Sequence, residues 1–119
     1  MTTKIYLTAL FLTAIALPAW AEAFRKIDRK QDFIETVKGR ELRLTGIRLT
    51  VTPAGEIQGR AFGKAVTGAW RWQNGYFCRD LAWGAQEFPY NCQEVSLAGG
   101  KIRFQSDRGS GQKADFRLH

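Results

Sequence analysis

The chain has 119 residues, a formal net charge of +7, a single histidine and two cysteines. That length fits one domain. The lone histidine is the final residue, His119, which removes Ser-His-Asp catalysis and most metal sites.

The first stretch, MTTKIYLTALFLTAIALPAWA, has one early cation, Lys4, an apolar run from Ile5 to Leu17, then Pro18 and Ala19-Trp20-Ala21. This is the layout of a secretory signal peptide over residues 1–21, with cleavage after Ala21. The apolar run falls short of the roughly 18–20 residues that a spanning helix needs, so no membrane span is expected after cleavage. No further cysteine is present to carry a lipid anchor. What remains, 22–119, reads as one β domain of about 98 residues, periplasmic or secreted. In an oxidising compartment Cys78 and Cys92 are expected to form a disulfide. The loop it closes stabilises by roughly 3 kcal/mol in the chain-entropy picture. Two reduced thiols at a reactive site are the alternative, but their spacing does not suit Cys-x-x-Cys chemistry.

A basic exported domain has anionic surfaces as candidate partners, from lipid head groups and cell-wall polymers to acidic polysaccharide. The cations Arg25, Arg40, Arg48, Arg60, Arg71, Lys101 and Arg117 are scattered and mostly alternate with apolar residues. That pattern reads as the solvated outer face of strands.

Along the mature chain, DRKQDFIETVKG reads as the one helix. Asp28 is placed to cap it, with Gln31 completing a capping box. Phe33, Ile34 and Val37 form its apolar stripe, and Gly39 ends it. After Gly39 the chain alternates or turns. Leu42 and Leu44 share a face, as do Ile47, Leu49 and Val51. Thr52 to Gly55 is a turn, with Pro53 at its second position. EIQGRAFG and KAVTGAWRWQ are two further strands, broken at Gly63-Lys64. Asn74-Gly75 is the strongest hairpin signal, because a type I′ turn needs positive φ at both central residues. YFCRDLAWG returns, and QEFPYNCQ reads as irregular. EVSLAGGKIRFQS is a second hairpin, DRGSG turns again, and Ala114, Phe116 and Leu118 share a face of the last strand.

Seven or eight short strands with tight turns and no crossover helix predict a mainly β, antiparallel meander. It closes as a small barrel or stacks as a two-layer sandwich. Recurrent Gly59, Gly63, Gly68, Gly75 and Gly84 favour the barrel, since glycines inside strands mark tight coiling.

With Asn74-Gly75 as a two-residue loop, Gln73 faces Tyr76, Trp72 faces Phe77, Arg71 faces Cys78 and Trp70 faces Arg79. Opposed residues share a face, so Trp70, Trp72, Phe77, Arg79 and Leu81 point inward together. Two readings of Arg79 follow. Its stem covers a ring near the barrel mouth, with a cation–π contact to Trp70, or its guanidinium receives a carboxylate or phosphate. Arg71 and Asp80 are diagonal neighbours on the outer face and form an expected surface pair.

Other chemistry is thin. Asp80 with Glu87, or Asp107 with Asp115, could pair carboxylates, but nothing in the sequence brings them together. GSGQKA matches a dinucleotide fingerprint in form, yet only five residues follow Ala114, leaving no room for the βαβ unit. No catalytic residue, metal or cofactor is assigned. Aromatics interleave with cations in WRWQNGYFCR, as in single-strand nucleic-acid binders; export argues against nucleic acid as a partner.

The run VKGRELRLTGIRLTVTPAGEIQGRAFGKAVTGAWRWQNGYFCRDLAWG, with NCQ and IRFQSDRGSG downstream, resembles a group of small exported bacterial proteins of unknown function. GRAFG, VTGAWRWQNGYFCR and DRGSG carry most of the likeness. Some members bear a dihydrodipicolinate reductase label. That label implies a longer cytoplasmic enzyme with a nucleotide-binding Rossmann domain, from which this chain departs in length, export and β content. The resemblance supplies no site residues.

The leading expectation is therefore a non-enzymatic binding module, monomeric or weakly dimeric, for a small anionic or amphipathic ligand, with Trp70, Trp72, Phe77 and Arg79 as the contacting wall. The alternative is an interaction or inhibitor module that meets an envelope protein through the 84–91 loop, with Phe88-Pro89-Tyr90 as its apolar patch. An enzyme is the third class.

Overall fold

The alternation that begins after Gly39 resolves into a run of antiparallel strands in the computed structural model, which describes residues 23–119. The expected leader lies outside the described residues. In chain order the elements are β1 (Arg25–Lys26), α1 (Lys30–Val37), β2 (Leu42–Leu44), β3 (Ile47–Val51), β4 (Glu56–Ala61), β5 (Lys64–Gln73), β6 (Tyr76–Trp83), β7 (Gln86–Ala98), β8 (Lys101–Gln105), α2 (Ser106–Gly109) and β9 (Lys113–Leu118). Each strand from β2 to β9 pairs with the next, and β9 returns to β2. The result is a closed eight-stranded barrel, not a sandwich. The short β1 pairs with Ser96 and Leu97 of β7 as an extra strand. Closure removes the exposed edges that an open sheet of this size would present.

Coiling this few strands so tightly needs places where backbones come close. Gly59 has φ +153°, and a Cβ there would lie 2.0 Å from the Arg48 carbonyl oxygen. Leu49 and Val66 flank it on the neighbouring strands. The hairpins close as the turn chemistry requires. Asn74 and Gly75 have φ of 51° and 82°, and the β5–β6 register runs from Gln73↔Tyr76 through Trp70↔Arg79, as expected from the sequence. The β4–β5 turn has the same two-residue form, but with Phe62 at φ 51° before Gly63. A bulky side chain in that region is uncommon.

One end of the barrel is closed by α1. Phe33 and Val37 are fully buried on its inner face. The Phe33 ring sits 5.1–5.2 Å from the rings of Trp70, Trp72 and Phe77, edge-on to Trp70 and stacked on Trp72. Aromatic pairs at such distances add to the burial of their large apolar surfaces. The helix starts later than the sequence suggests. Arg29, not Asp28, occupies the cap position, and no side chain caps it. The Asp28 carbonyl instead accepts the Trp72 indole N–H at 3.1 Å. Here the tryptophan contact prevails over local capping.

Two other segments differ from expectation. QEFPYNCQ is not irregular but falls within β7, the longest strand. Residues 106–109 form a short helical turn in which Asp107 and Arg108 both have φ 55°. The Asn91 amide clamps this turn, donating to Asp107 Oδ1 at 2.7 Å and accepting from the Asp107 N–H at 2.9 Å. The disulfide joins Cys78 and Cys92, which face each other across β6 and β7.

Arg103 and Asp115, opposed on β8 and β9, form a two-pronged pair at 2.7 and 2.9 Å. Hydrogen bonding to Arg103, helped by the charges of Arg103, Lys113 and Lys101, holds the Asp115 carboxyl below the usual aspartate range. A lowered folded-state value adds stability above the unfolded value and loses it as pH falls through the folded one. We expect the denaturation midpoint to drop as pH falls below about 4, and Asp115→Asn to flatten that drop by under about 1 kcal/mol, since the pair is only partly buried and still screened by water. Phe33→Ala is expected to cost about 3–5 kcal/mol in chemical denaturation, because it empties the centre of the aromatic cluster. A loss below 1 kcal/mol would show that α1 does not seal the barrel.

Candidate functional site

The inward residues of β5 and β6 divide between two levels of the barrel. Trp70 and Trp72 belong to the level that α1 fills. The Trp70 indole N–H donates to the Thr52 carbonyl at 2.9 Å, and its ring stacks on Phe77 at 5.5 Å. Both indoles are thus held by backbone carbonyls and by Phe33. Phe77 stands at the boundary between the levels. Its ring is packed in the cluster, and it also lines a cavity of about 200 Å³ beyond it. Leu42, Leu49, Leu81, Phe104 and Phe116 supply most of the remaining wall. Among the described residues only two polar side chains reach it, Arg79 and Gln93.

Arg79 is placed there by a break in strand pairing. Arg79 opposes Asn91, but Leu81 opposes Phe88, so β7 carries one extra residue across this step. Such a bulge unpairs backbone groups and re-aims side chains. Pro89 lies in the extra stretch, and proline is tolerated in a sheet at such a break because it has no N–H to offer a ladder. Its carbonyl turns to accept the Arg79 guanidinium at 2.8 Å. The side chain is half-buried, and burial pushes its pKa below the usual arginine range, offset in part by the nearby Asp80 charge. Among the described residues no carboxylate forms a salt bridge with it. The expected cation–π contact with Trp70 is also not formed among the described residues; Trp70 is already faced by Phe33 and Phe77. A guanidinium carries five N–H donors, and the Pro89 carbonyl takes only one of them.

Gln93 is buried and donates to the Ser106 hydroxyl at 3.0 Å. Above the cavity a second hollow of about 230 Å³ shares Leu49, Leu81 and Phe116 with it. Its outer wall is Phe62, Trp83 and Phe88. Phe62 is 67% exposed and Phe88 37% exposed. The Phe62 ring lies where a Cβ on residue 46 would stand, 2.6 Å from the nearest ring carbon, so Gly46 is what admits it. It meets Trp83 edge-on at 6.5 Å. Lys64 Nζ sits 4.7 Å over the Trp83 ring. The strained turn at Phe62 thus holds an exposed aromatic at the mouth.

On the outer face, Arg71 does not pair with Asp80. It donates to the Tyr90 hydroxyl at 3.4 Å and lies 5.6 Å from that ring. The Tyr90 hydroxyl in turn donates to Gln73 Oε1 at 3.1 Å. The stretch expected as an 84–91 loop is a tight turn at 84–85 followed by the start of β7. Phe88 faces the mouth, whereas Tyr90 lies with Arg71 outside, so the two do not make one patch. Among the described residues no group of His, Cys, Asp or Glu is placed to hold a metal ion, and no helix is long and apolar enough to cross a membrane.

No family model, curated protein or solved structure matches the chain. The arrangement must therefore be read from its own chemistry: an apolar cavity, an apolar antechamber and one incompletely paired guanidinium at their edge. Leu49, Gln93 and Phe116 were not singled out from the sequence as site residues. The shared face of Leu49 and of Phe116 was legible, but not which of those residues would stand clear of the helix; Gln93 fell in the stretch read as irregular.

Trp72→Phe should keep the ring contact with Phe33 while deleting the bond to Asp28. We expect a loss of about 1 kcal/mol and faster amide exchange across α1. Unchanged exchange in the helix would show that this bond does not anchor it.

Proposed function

We propose that the chain is an exported binding module for a small amphipathic carboxylate. The apolar part of the ligand occupies the cavity between Leu49, Leu81 and Phe116, and its carboxylate meets Arg79. The observation that supports this most is a half-buried arginine without a carboxylate partner at the rim of an otherwise apolar hollow. Ligand sites are commonly apolar clefts with a few polar groups that fix orientation. A charge-assisted, two-pronged contact to a guanidinium fits a carboxylate. The disulfide fits an extracytoplasmic location, the setting in which such bonds persist.

A second reading is favoured by one observation, the exposed apolar rim of Phe62 and Phe88. In that reading the mouth receives a side chain of a partner protein and the cavity is an anchor pocket.

Titration with decanoate and with decanol, followed by tryptophan fluorescence, tests the first reading. Trp83 borders the antechamber and reports occupancy. Decanoate should bind saturably, and Arg79→Met should weaken it about tenfold or more, as expected for loss of a charged hydrogen bond. Decanol binding should change by less than about threefold in the same variant, because its contacts are apolar. Equal decanoate affinity in both proteins, or no saturable binding, would contradict the assignment.

A further inference from the structure

Cations that look scattered in the sequence are brought into line by the strand register. Lys101 of β8 opposes Arg117 of β9. Arg117 opposes Arg43 of β2, Arg43 opposes Arg48 of β3, and Arg48 opposes Arg60 of β4. Five adjacent strands thus carry five directly opposed cations. All five lie on the outer face, because their chain neighbours Ile102, Leu118, Leu42, Leu49 and Ala61 point inward. With strands about 4.8 Å apart, the row extends about 19 Å.

Like charges placed directly opposite one another destabilise a sheet, and here four such pairs occur in succession. The fold itself does little to relieve them. Among the described residues only Arg43 forms a salt bridge with an acid, Glu41, although the Glu41 charge also reaches Arg48 and the Asp115 charge reaches Lys101. Arg60 donates to the Gly63 carbonyl at 3.0 Å, which leaves its charge in place. The neighbouring Asp115 is committed to Arg103. The row also borders a hollow of about 510 Å³, where Arg43, Lys101 and Arg117 line one space with Asp115. Beside it β2 and β9 pair at two positions, Leu42↔Leu118 and Arg43↔Arg117.

We propose that this row is a docking surface for a linear polyuronate, an acidic polysaccharide with one carboxylate per sugar. Charge complementarity is the first argument. Geometry is the second: five of eight barrel strands wrap a convex surface, so a flat bilayer reaches only part of the row, while a flexible chain follows it. The third is spacing. The row repeats a cation on each of five adjacent strands, and a polymer with one carboxylate per sugar repeats its charge on a similar scale, so several carboxylates engage at once. Four of the five are arginines, whose planar forks suit carboxylate oxygens. This surface lies outside the barrel and is independent of the cavity beside Arg79.

The test uses the disulfide-bonded protein and polygalacturonate, with single-stranded DNA and phosphatidylglycerol vesicles as rival probes. Polygalacturonate should bind, and more weakly as salt rises, because exposed charges are screened. R43Q/R48Q/R60Q should weaken binding about tenfold or more, whereas R29Q/K30Q/K38Q, with the same charge removed from the helix region, should change it by less than about threefold. The single variants R48Q and R60Q should show the same ordering at smaller amplitude, which keeps the comparison available if the triple variant is unstable. Three results would overturn the proposal: no binding by the unaltered protein, equal weakening in both triple variants, or tighter binding of DNA or vesicles than of polygalacturonate.

Discussion

The insertion of Phe33 into the barrel is the contact on which the rest depends. Eight strands enclose an interior about wide enough for side chains to fill. Something must fill it, or it stays open to a ligand. Phe33 does so at one level, where its ring meets Trp70, Trp72 and Phe77 at little more than 5 Å. Had the helix been absent, those rings would face an open shaft. With it in place, the indoles are packed into the core, and the open part of the interior lies at the opposite level. There Leu49, Leu81 and Phe116 leave a space that neither helix of the described residues lines.

The second determinant is the irregularity between β6 and β7. A regular ladder would continue past Asn91, and Pro89 could not join it. The extra residue of β7 resolves that conflict and frees the Pro89 carbonyl for Arg79. The disulfide lies one residue pair away, at Cys78 and Cys92, and fixes the register on which the bulge depends. One local sequence feature, a proline near a cysteine, therefore places the one cation that lines the cavity among the described residues.

Much of this was legible in the sequence, for identifiable reasons. Asn74-Gly75 determines its own turn, and a two-residue turn determines every pair along the hairpin, so the inward phase of Trp70, Phe77 and Arg79 followed. Cysteine pairing followed from having only two. The segment with Pro89 was misread because proline usually ends strands, and a bulge that tolerates it depends on the partner strand. The Asp28 cap was misread because a distant indole claims the Asp28 carbonyl. Phe62 gave no turn signal, since its left-handed conformation is sustained by Gly46 and Trp83, which are remote in the chain. The row from Lys101 to Arg60 was invisible for the same reason: alternation places each cation outside, but only the pairing of five strands aligns them. The division of one aromatic face into a packed level and an open level required knowing how deep the helix enters.

The account claims that the barrel is filled on the helix side and hollow on the other. Xenon under pressure reports this directly, because it enters apolar cavities that remain dry. A crystal of the protein pressurised with xenon should show the gas bounded by Leu49, Leu81 and Phe116, and none among Phe33, Trp70 and Trp72. Xenon beside Phe33, or an interior that takes up none at all, would contradict it.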